Sequence, residues 1–441
     1  MKFIGRETEI GMLRRFRAKA ARSAQFMVLT GRRRVGKTAL LREALNDGTV
    51  PYVHLPITRQ SEQMLVAELQ EEVERVLSLG IHGRCRSFSE LFEELMIASK
   101  KRRFTLVLDE FQEFKRINPA VFSQIAAIWD RDHGKSKINL VVCGSINRLM
   151  TQIFFNDGEP LYGRNTGSFV LKPFKISLLK KILAKKNRKW SADDLLALWT
   201  ITGGVPRYVN LLVEGGALTR KAMLDAFFES GSSFLTEGRA ILAEEFGPDY
   251  GVYFSILAAI AAGATTSAEL KAIVGADVNG YLTKLEDQYA LVSKKQPVFE
   301  KASSKNCHFM IDDCFFRFWF RFVFKYRGLL ELERVEQVRA IAERDFEVFS
   351  GYALERYFLW KFVEEKTYTT MGAWWNRKGE KEIDLVCEDE VAGAIDFYEV
   401  KRDASRFSAT VLAEKVARFL EKNPQKRSFR QTQRCLSLRD I

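Results

Sequence analysis

The sequence predicts an α/β fold that begins with a parallel sheet covered by helices on both faces. Over roughly the first 165 residues, short apolar segments alternate with amphipathic segments of helical period. A glycine-rich turn follows the first apolar segment and leads directly into a helix-forming one. The predicted strands are residues 26–30, 52–55, 104–108 and 139–143. These observations place a parallel-sheet core at residues 1–170.

The glycine-rich turn is a candidate phosphate-binding loop (P-loop), the alternative being a coincidental turn. Residues 31–38 read GRRRVGKT and fit the G-x-x-x-x-G-K-[ST] pattern at every defined position. Backbone N–H groups of such a loop surround phosphates, and the N-terminus of the next helix adds partial positive charge. We expect Lys37 to reach the β- and γ-phosphates of ATP and Thr38 to hold Mg²⁺. The predicted nucleotide-binding residues here are Gly31, Arg34, Val35, Gly36, Lys37, Thr38 and Ala39.

Two acids follow a later apolar strand and supply the second part of a phosphoryl-transfer site. Asp109 and Glu110 end the segment TLVLDE. We expect Asp109 to hold Mg²⁺ through water opposite Thr38, and Glu110 to act as general base on the attacking water. The next strand leads into GSIN, where Ser145 or Asn147 is a candidate γ-phosphate sensor because neighbouring strand tips converge. The alternatives are an acidic strand end without a role and an ordinary turn.

Two short motifs resemble AAA+ proteins of the origin-recognition type and STAND signalling ATPases. They are FIGRETE at residues 3–9 and GGVP at 203–206. Two others, DEFQ at 109–112 and LYGR at 161–164, are similar to an archaeal ATPase family within that group. The resemblance implies an ATPase core with a helical lid and ATP and Mg²⁺ as cofactors.

The same resemblance implies roles for residues outside the loop. In those families the first motif, here with Arg6 and Glu7, packs near the adenine. The glycine–proline motif, here with Pro206, belongs to a lid that closes over the nucleotide. Arg164 is either an arginine that acts on the γ-phosphate or a structural arginine in a loop. AAA+ relatives often work as rings and STAND relatives often rest as monomers, so a homo-oligomer is one open expectation.

The charge of the chain favours an anionic partner. The net charge is +13 at pH 7, and the sequence pI is about 9.3. Residues 402–441 carry ten Lys and Arg against four Asp and Glu. We expect DNA as the partner beside the nucleotide, and the alternative is a basic but otherwise ordinary enzyme with solvated faces.

Cysteine usage and the apolar segments indicate a compartment. The six cysteines are scattered and include no C-x-x-C pair, which suits a reducing environment without a disulfide framework. The N-terminus becomes polar at once, and the longest apolar stretch is too short to cross a bilayer. We therefore expect a cytoplasmic protein with no membrane partner.

Two further segments precede the C-terminal part. Residues 171–248 are predicted to form a helical lid and connector, and residues 249–312 a small helical module closed by a hairpin. The latter resembles winged helix-turn-helix modules, in which the third helix can enter the major groove. In AAA+ and STAND proteins the module often serves as an interdomain joint, which is the alternative here. The lysines that could meet phosphates are Lys284, Lys294, Lys295, Lys301 and Lys305.

The segment 313–441 contains a candidate metal pocket. Two alternating strand patterns place Glu399 and Lys401 on one face, and antiparallel pairing would bring Asp384 beside Glu399. A preceding helix can present Glu355 to the same place. Two carboxylates can hold Mg²⁺, and an ammonium group can orient a water or neutralise transition-state charge. This combination is what phosphodiester hydrolysis needs.

The order Glu355, Asp384, Glu399-x-Lys401 resembles the PD-(D/E)XK nuclease superfamily. The resemblance implies a restriction-endonuclease-like α/β domain, catalytic roles for these four residues, and metal ligation by Asp384 and Glu399. Residues 315–401 also look like the uncharacterised C-terminal domain that accompanies archaeal ATPases of this kind. The alternative is a surface ion-pair network on a fold without catalysis.

The leading hypothesis is a protein that binds and hydrolyses ATP, binds DNA, and cuts it with a Mg²⁺-dependent endonuclease domain. The alternative is a nucleotide-dependent switch or adaptor of the AAA+/STAND type. Its C-terminal domain would be catalytically inactive and would only bind nucleic acid or protein. A signalling ATPase without a DNA role is a third possibility.

Overall fold

The alternating segments fold into two units in the computed structural model of this chain. The first unit runs to Lys172 and includes the short segment Asp287–Tyr289; the second comprises Pro173–Glu286 and Ala290–Ile441. The structure describes residues 3–81, 83–145, 147–247, 250–301, 306–376 and 382–441, without the side chains of Asn147 and Arg148. Lys305 and the side chain of Asn147, both named above, therefore lie outside the described part.

A parallel sheet forms the centre of the first unit. Its strand order is β2-β3-β4-β1-β5, and every pair of neighbours is parallel. The carboxyl ends of β1, β3 and β4 therefore meet at one edge, because these three strands are adjacent and point the same way. The strands are β1 (Gln25–Thr30), β2 (Tyr52–Pro56), β3 (Thr105–Asp109), β4 (Asn139–Gly144) and β5 (Gly167–Val170).

Helices cover both faces of this sheet, as the sequence predicts. Phe26 and Val28 of β1 belong to a core cluster with the helices of one face, whereas Met27 and Leu29 belong to a cluster with the helices of the other. The helices are α1 (Glu7–Lys19), α2 (Lys37–Leu45), α3 (Glu62–Leu77), α4 (Phe88–Lys101), α5 (Phe114–Ile117), α6 (Val121–Asp132) and α7 (Asn147–Phe155).

The second unit begins with helices. Gly203 ends one helix in a left-handed conformation, and Pro206 opens the next at its first position. A Cβ on Gly204 would lie 2.5 Å from the carbonyl oxygen of Phe174, so this turn requires glycine. The helices are α8 (Ile176–Lys186), α9 (Ala192–Thr202), α10 (Pro206–Glu214), α11 (Arg220–Phe227) and α12 (Ser233–Phe246).

A helical segment closed by a hairpin follows. Thr266 and Glu269 form a capping box at the start of its second helix. The hairpin strands pair antiparallel, with Val292 opposite Ile311. The elements are α13 (Tyr250–Ala261), α14 (Ser267–Val274), α15 (Asn279–Asp287), β6 (Val292–Lys295) and β7 (His308–Ile311).

The C-terminal part combines aromatic helices with a four-stranded sheet of order β11-β10-β9-β8. The strands β8, β9 and β10 pair antiparallel, whereas β11 runs parallel to β10. Leu412, Val416 and Phe419 of the last helix pack on one face of this sheet. The elements are α16 (Cys314–Phe318), a π-helical turn (Trp319–Phe324), α17 (Arg327–Glu331), α18 (Val335–Glu365), β8 (Thr370–Trp375), β9 (Glu382–Asp389), β10 (Ala394–Val400), α19 (Ala409–Lys422) and β11 (Arg430–Leu436).

Two edge strands, β5 and β11, were not predicted from the sequence. Strand β5 is only four residues long and begins at Gly167, which packs against the ring of Phe16. Strand β11 reads RQTQRCL and has no continuous apolar face. Edge strands with polar residues lack the periodic signal on which strand prediction depends. Within the described residues, no helix combines the length and apolar character needed to cross a membrane.

Candidate functional site

The candidate phosphate loop connects β1 to α2 at the carboxyl edge of the first sheet. Gly31 lies against the chain, since a Cβ there would be 2.7 Å from the carbonyl oxygen of Leu171. Gly36 and Arg34 have left-handed backbones, with φ of 89° and 69°. The side chain of Val35 is buried, whereas Ala39 is exposed on the first turn of α2. The loop thus wraps the N-terminus of a helix, the arrangement that favours an anion.

Lys37 is buried inside this loop. Its ammonium group donates to the carbonyl oxygen of Gly31 at 2.8 Å. Burial lowers the pKa of Lys37, and the nearby carboxylate of Glu110 opposes that effect. A desolvated ammonium group gains strongly from an anionic partner, because its own hydration has been lost. The side chain is therefore suited to a phosphate oxygen.

Asp109 lies directly opposite Thr38, whose hydroxyl donates to Asp109 Oδ2 at 2.9 Å. Two residues that were not expected at this site also contact the carboxylate: His54 Nε2 at 3.1 Å and the Cys143 thiol at 2.9 Å. Burial favours the neutral acid, but the hydrogen bonds of His54, Cys143 and Thr38 outweigh it and lower the pKa of Asp109 to about 2. Its charge at neutral pH and the adjacent hydroxyl fit a hard cation such as Mg²⁺.

Glu110 adopts a left-handed backbone with φ of 54°. Its Oε2 accepts a hydrogen bond from the Ser145 hydroxyl at 2.7 Å and from the Gln112 amide at 2.5 Å. Ser145 follows β4, the strand between β1 and β3, so it lies between the loop and the acids as the topology requires. The sequence singled out Ser145 but not Gln112.

Three further residues that were predicted to act on the nucleotide are Arg6, Glu7 and Arg164, and the two arginines form hydrogen bonds to other groups of the protein. Arg6 donates to Glu9 at 3.0 Å and to the carbonyl oxygen of Lys172 at 2.6 Å, while Glu7 is exposed on the first turn of α1. Arg164 uses its guanidinium fork on Asp130, at 2.7 and 3.0 Å. This bidentate pair favours the structural alternative for Arg164 within a single chain.

A second cluster of charged side chains lies in the C-terminal sheet. Asp384 Oδ2 accepts the backbone N–H of Val400 at 2.7 Å, which fixes it across the β9–β10 pair. Lys401 Nζ lies 2.8 Å from Glu399 Oε1 and 3.8 Å from Asp384 Oδ2. The antiparallel pairing of β9 and β10 thus brings together the two acids and the amine that the sequence pattern singled out.

Glu355 of α18 faces the same cluster. Burial, together with the charges of Asp384 and Glu382, raises the pKa of Glu355 to about 8. Burial also raises the pKa of Asp384 to about 6, and the charge of Glu399 adds to it. These carboxyls thus share a desolvated site in which their charges repel one another.

Glu399 differs from those acids. Burial would raise its pKa, but hydrogen bonds from Lys401 and Lys415 outweigh that effect and lower it. Lys415 lies on α19 and contacts both carboxylate oxygens of Glu399, at 3.0 and 2.8 Å. Lys415 was not predicted as a site residue from the sequence. The signal that could have found it is its position beside the apolar stripe of α19, next to Val416. We call Glu355, Asp384, Glu399, Lys401 and Lys415 the carboxylate pocket.

The metal-binding capacity of the carboxylate pocket is limited to a small ligand set. Among the described residues, no group of three or more His, Cys, Asp and Glu side chains is arranged to hold a metal ion. Mg²⁺ usually takes one or two carboxylates plus water and substrate phosphate, and Asp384 with Glu399 fits that smaller set. The two lysines already neutralise Glu399, so a cation would compete with them.

The predicted phosphate-contacting lysines of the hairpin segment have different surroundings. Lys295 pairs with Asp312 at 3.6 Å, and burial lowers its pKa. Its ammonium group therefore already has a carboxylate of the protein beside it. Lys284 lies over the ring of Tyr281, and Lys301 is exposed.

Comparisons with known proteins agree with the fold of the first unit. Residues 3–212 match the model of an ATPase domain predominantly from Archaea, and residues 319–412 match a family of archaeal and bacterial proteins of unknown function. An uncharacterized protein of Methanocaldococcus jannaschii is 26% identical over 411 residues, which is 90% of this chain and 87% of the relative.

Two solved structures share the architecture. A Walker-type ATPase of Pyrococcus abyssi is 20% identical with a TM-score of 0.52, covering 72% of this chain and 96% of its own. The ORC2 protein of Aeropyrum pernix, solved as ADPNP–ADP complexes, is 13% identical with a TM-score of 0.50, covering 78% and 96%. With the phosphate loop, Asp109 and Glu110 gathered at one sheet edge, the N-terminal part of this protein is a P-loop ATPase domain, and the protein is an ATPase.

Proposed function

We propose that this ATPase engages DNA and cuts it with Mg²⁺ at the carboxylate pocket. The observation that carries the proposal is the meeting of Asp384, Glu399 and Lys401 across two antiparallel strands. These residues are distant from any nucleotide motif in the sequence, so nucleotide binding gives no reason for their arrangement. Phosphodiester hydrolysis gives one.

In the ATPase site, each residue has a separate task. Lys37 would bind the β- and γ-phosphates, Thr38 would supply an oxygen ligand for Mg²⁺, and Asp109, which accepts a hydrogen bond from Thr38, would hold the ion through water. When bound, Mg²⁺ neutralises charge on the transferred phosphoryl group. Glu110 accepts a proton from the attacking water as it bonds to the γ-phosphorus and the bond to the β-phosphate breaks. The ADPNP–ADP complexes of the Aeropyrum protein support an adenine nucleotide as the ligand.

In the carboxylate pocket, Asp384 and Glu399 would hold the Mg²⁺, which when bound polarises the phosphate and lowers the pKa of a water. The backbone N–H of Val400 keeps Asp384 in place for this role. Lys401 would neutralise charge on the phosphate as the water gives up a proton to solvent and its oxygen bonds to phosphorus. The bond from phosphorus to one deoxyribose oxygen breaks, and that oxygen leaves as a hydroxyl after taking a proton from solvent. Glu355 orients the water from the side of α18.

Contact with DNA rests on charge and on element order. The order α13, α14, α15, β6, β7 supports the proposed winged helix-turn-helix module, in which α15 would be the third helix. Lys284 of α15 and Lys301 beyond β6 supply positive charge there. We infer that this module contacts DNA phosphates, which predicts binding that weakens steeply as salt increases.

A crossed pair of substitutions tests the proposal. Lys401→Ala is expected to abolish Mg²⁺-dependent cleavage of plasmid DNA and to leave ATP hydrolysis unchanged, because the amine belongs to the pocket alone. Lys37→Ala is expected to abolish ATP hydrolysis by removing the phosphate ligand. Lys422→Ala, a lysine of α19 that lies over the Trp374 ring, is the control for both assays. Cleavage that survives Lys401→Ala in a pure preparation would contradict the nuclease assignment.

One observation favours a second candidate, the nucleotide-dependent switch or adaptor with an inactive C-terminal domain. Lys401 and Lys415 together neutralise Glu399 within the protein, so the pocket is stable as an ion-pair network. A metal titration on plasmid, linear and branched DNA distinguishes the two. DNA-stimulated ATP turnover without cleavage under any condition would select the switch, and no salt-sensitive DNA binding would select a signalling ATPase.

A further inference from the structure

The turn after β3 contains a glutamine that is hydrogen-bonded to the candidate general base. Gln112 is fully buried, and its Nε2 donates to Glu110 Oε2 at 2.5 Å. The two residues around it are fixed as well. Phe111 lies in the core cluster, and Glu113 accepts two hydrogen bonds from Arg59, at 2.6 and 3.1 Å. Gln112 therefore lies in a turn whose flanking residues are held in place by packing and by hydrogen bonds, and its amide donates to the carboxylate of Glu110.

This glutamine is an unfavourable choice for a residue that only fills space. Its Oε1 is buried and has no hydrogen-bond partner among the described residues. A buried acceptor without a partner costs stability that an apolar side chain of similar size would avoid. The neighbouring backbone is also constrained, because a Cβ on Gly144 would lie 2.2 Å from that same oxygen. What glutamine supplies here, and an apolar residue does not, is the donor to Glu110.

The two donors to Glu110 use the same oxygen. Ser145 and Gln112 both donate to Oε2, at 2.7 and 2.5 Å. Two hydrogen bonds to Oε2 restrict the orientation of the carboxylate, and so they also determine where its other oxygen, Oε1, points. The two donors come from different elements, the tip of β4 and the turn after β3, so they restrain the carboxylate from two directions.

We propose that Gln112 is a positioning residue of the ATPase reaction, which directs the carboxylate of Glu110 toward the attacking water. The inference rests on the proposed role of Glu110 as general base. A base whose orientation is lost accepts the water's proton in fewer productive geometries. The rate of ATP turnover then falls, while nucleotide binding is kept.

The test compares two buried glutamines of the first unit. Gln112→Met keeps the volume and removes the donor, and we expect kcat for ATP to fall at least about tenfold, with KM and fluorescent-ADP affinity within about twofold of wild type. The matched control is Gln70→Met, because Gln70 is also buried and donates to a glutamate, Glu74, at 2.9 Å. That substitution is expected to leave kcat unchanged.

A second variant, Gln112→Asn, keeps the proposal testable if Gln112→Met does not fold. Gln112→Asn keeps a polar amide but shortens the side chain by one carbon, so its donor no longer reaches Glu110, and the same loss of kcat is expected. Thermal melting and ADP binding establish that each variant is folded. If a folded Gln112 variant turns over ATP within twofold of wild type, or loses activity through KM alone, the inference is wrong.

Glu110→Gln separates this inference from the proposal on which it rests. If Glu110→Gln retains wild-type turnover, the general base is another residue and both statements fail. If Glu110→Gln abolishes turnover and Gln112→Met does not reduce it, only the role of Gln112 fails. In the Glu110→Gln background, adding Gln112→Met is expected to cause no further loss of the residual rate. A further loss would mean that Gln112 acts independently of Glu110.

Discussion

The two acidic sites of this protein hold their carboxylates by opposite means. In the ATPase site, Asp109 and Glu110 accept hydrogen bonds from Thr38, Cys143, Ser145 and other neighbouring side chains. In the carboxylate pocket, by contrast, the acids face one another and two lysines. The pKa of Asp109 accordingly falls to about 2, whereas burial and neighbouring charge raise the pKa of Glu355 to about 8.

This difference shows what each site is prepared to receive. Hydroxyl, thiol and amide donors orient an acid without neutralising it, so the ATPase site keeps its negative charge for a cation that arrives with the nucleotide. Lysines neutralise an acid and occupy it. The carboxylate pocket therefore rests in a charge-compensated state, which an incoming cation has to replace.

The largest stability effect is expected from removing the acid that two lysines share. Glu399→Ala leaves Lys401 and Lys415 partly buried without their carboxylate, and we expect the free energy of unfolding to fall by about 3 kcal/mol. Urea denaturation measures it. The control is Glu421→Ala, which breaks the exposed pair with Arg418 and is expected to cost less than about 0.5 kcal/mol. Equal effects of the two substitutions would mean that the pocket contributes no more than a surface ion pair.

A pH-dependent effect is expected next, at Glu355. Its pKa rises from 4.5 in the unfolded chain to about 8 in the fold, so between these values only the folded state keeps the proton. The free energy of unfolding therefore decreases as pH rises through this window. Glu355→Gln should make the decrease shallower and raise stability at pH 8, as measured by denaturation at several pH values. Glu365→Gln, at an exposed position of the same helix, should leave the slope unchanged; an unchanged slope in Glu355→Gln would contradict the burial argument.

The smallest effect is expected at Arg164. Its bidentate pair with Asp130 is at the surface, so Arg164→Ala and Asp130→Ala should each reduce stability by less than about 1 kcal/mol. Both should leave kcat for ATP within about twofold when turnover is measured in dilute protein. A tenfold loss in Arg164→Ala without a matching loss in Asp130→Ala would show that the arginine acts on the γ-phosphate after all.

The two sites also differ in how far the sequence predicted them. The phosphate loop and the Asp109–Glu110 pair are contiguous motifs bounded by apolar strands, so their location followed from local pattern. Asp384, Glu399 and Lys401 were grouped because strand alternation has a fixed period and antiparallel pairing aligns two strands. Both sites were therefore predictable from motif spacing and from the alternation of side chains along a strand.

What the sequence did not predict depends on contacts between distant segments. Lys415 reaches Glu399 from another element, and His54 reaches Asp109 from a neighbouring strand. Neither pair has a spacing that a local pattern could reveal. Gln112 was part of a recognised motif, but its buried donor and unpaired oxygen are properties of packing, and strands β5 and β11 lacked apolar periodicity.

Calorimetric titration of Mn²⁺, as a substitute for Mg²⁺, into the nucleotide-free protein tests whether the carboxylate pocket binds a divalent cation. Carboxylate sites accept either ion. We expect one metal-binding event that persists in Thr38→Ala and is lost in Asp384→Asn, because the carboxylate pocket binds its cation without nucleotide. Metal binding that is absent from the wild-type protein, or that persists unchanged in Asp384→Asn, would contradict it.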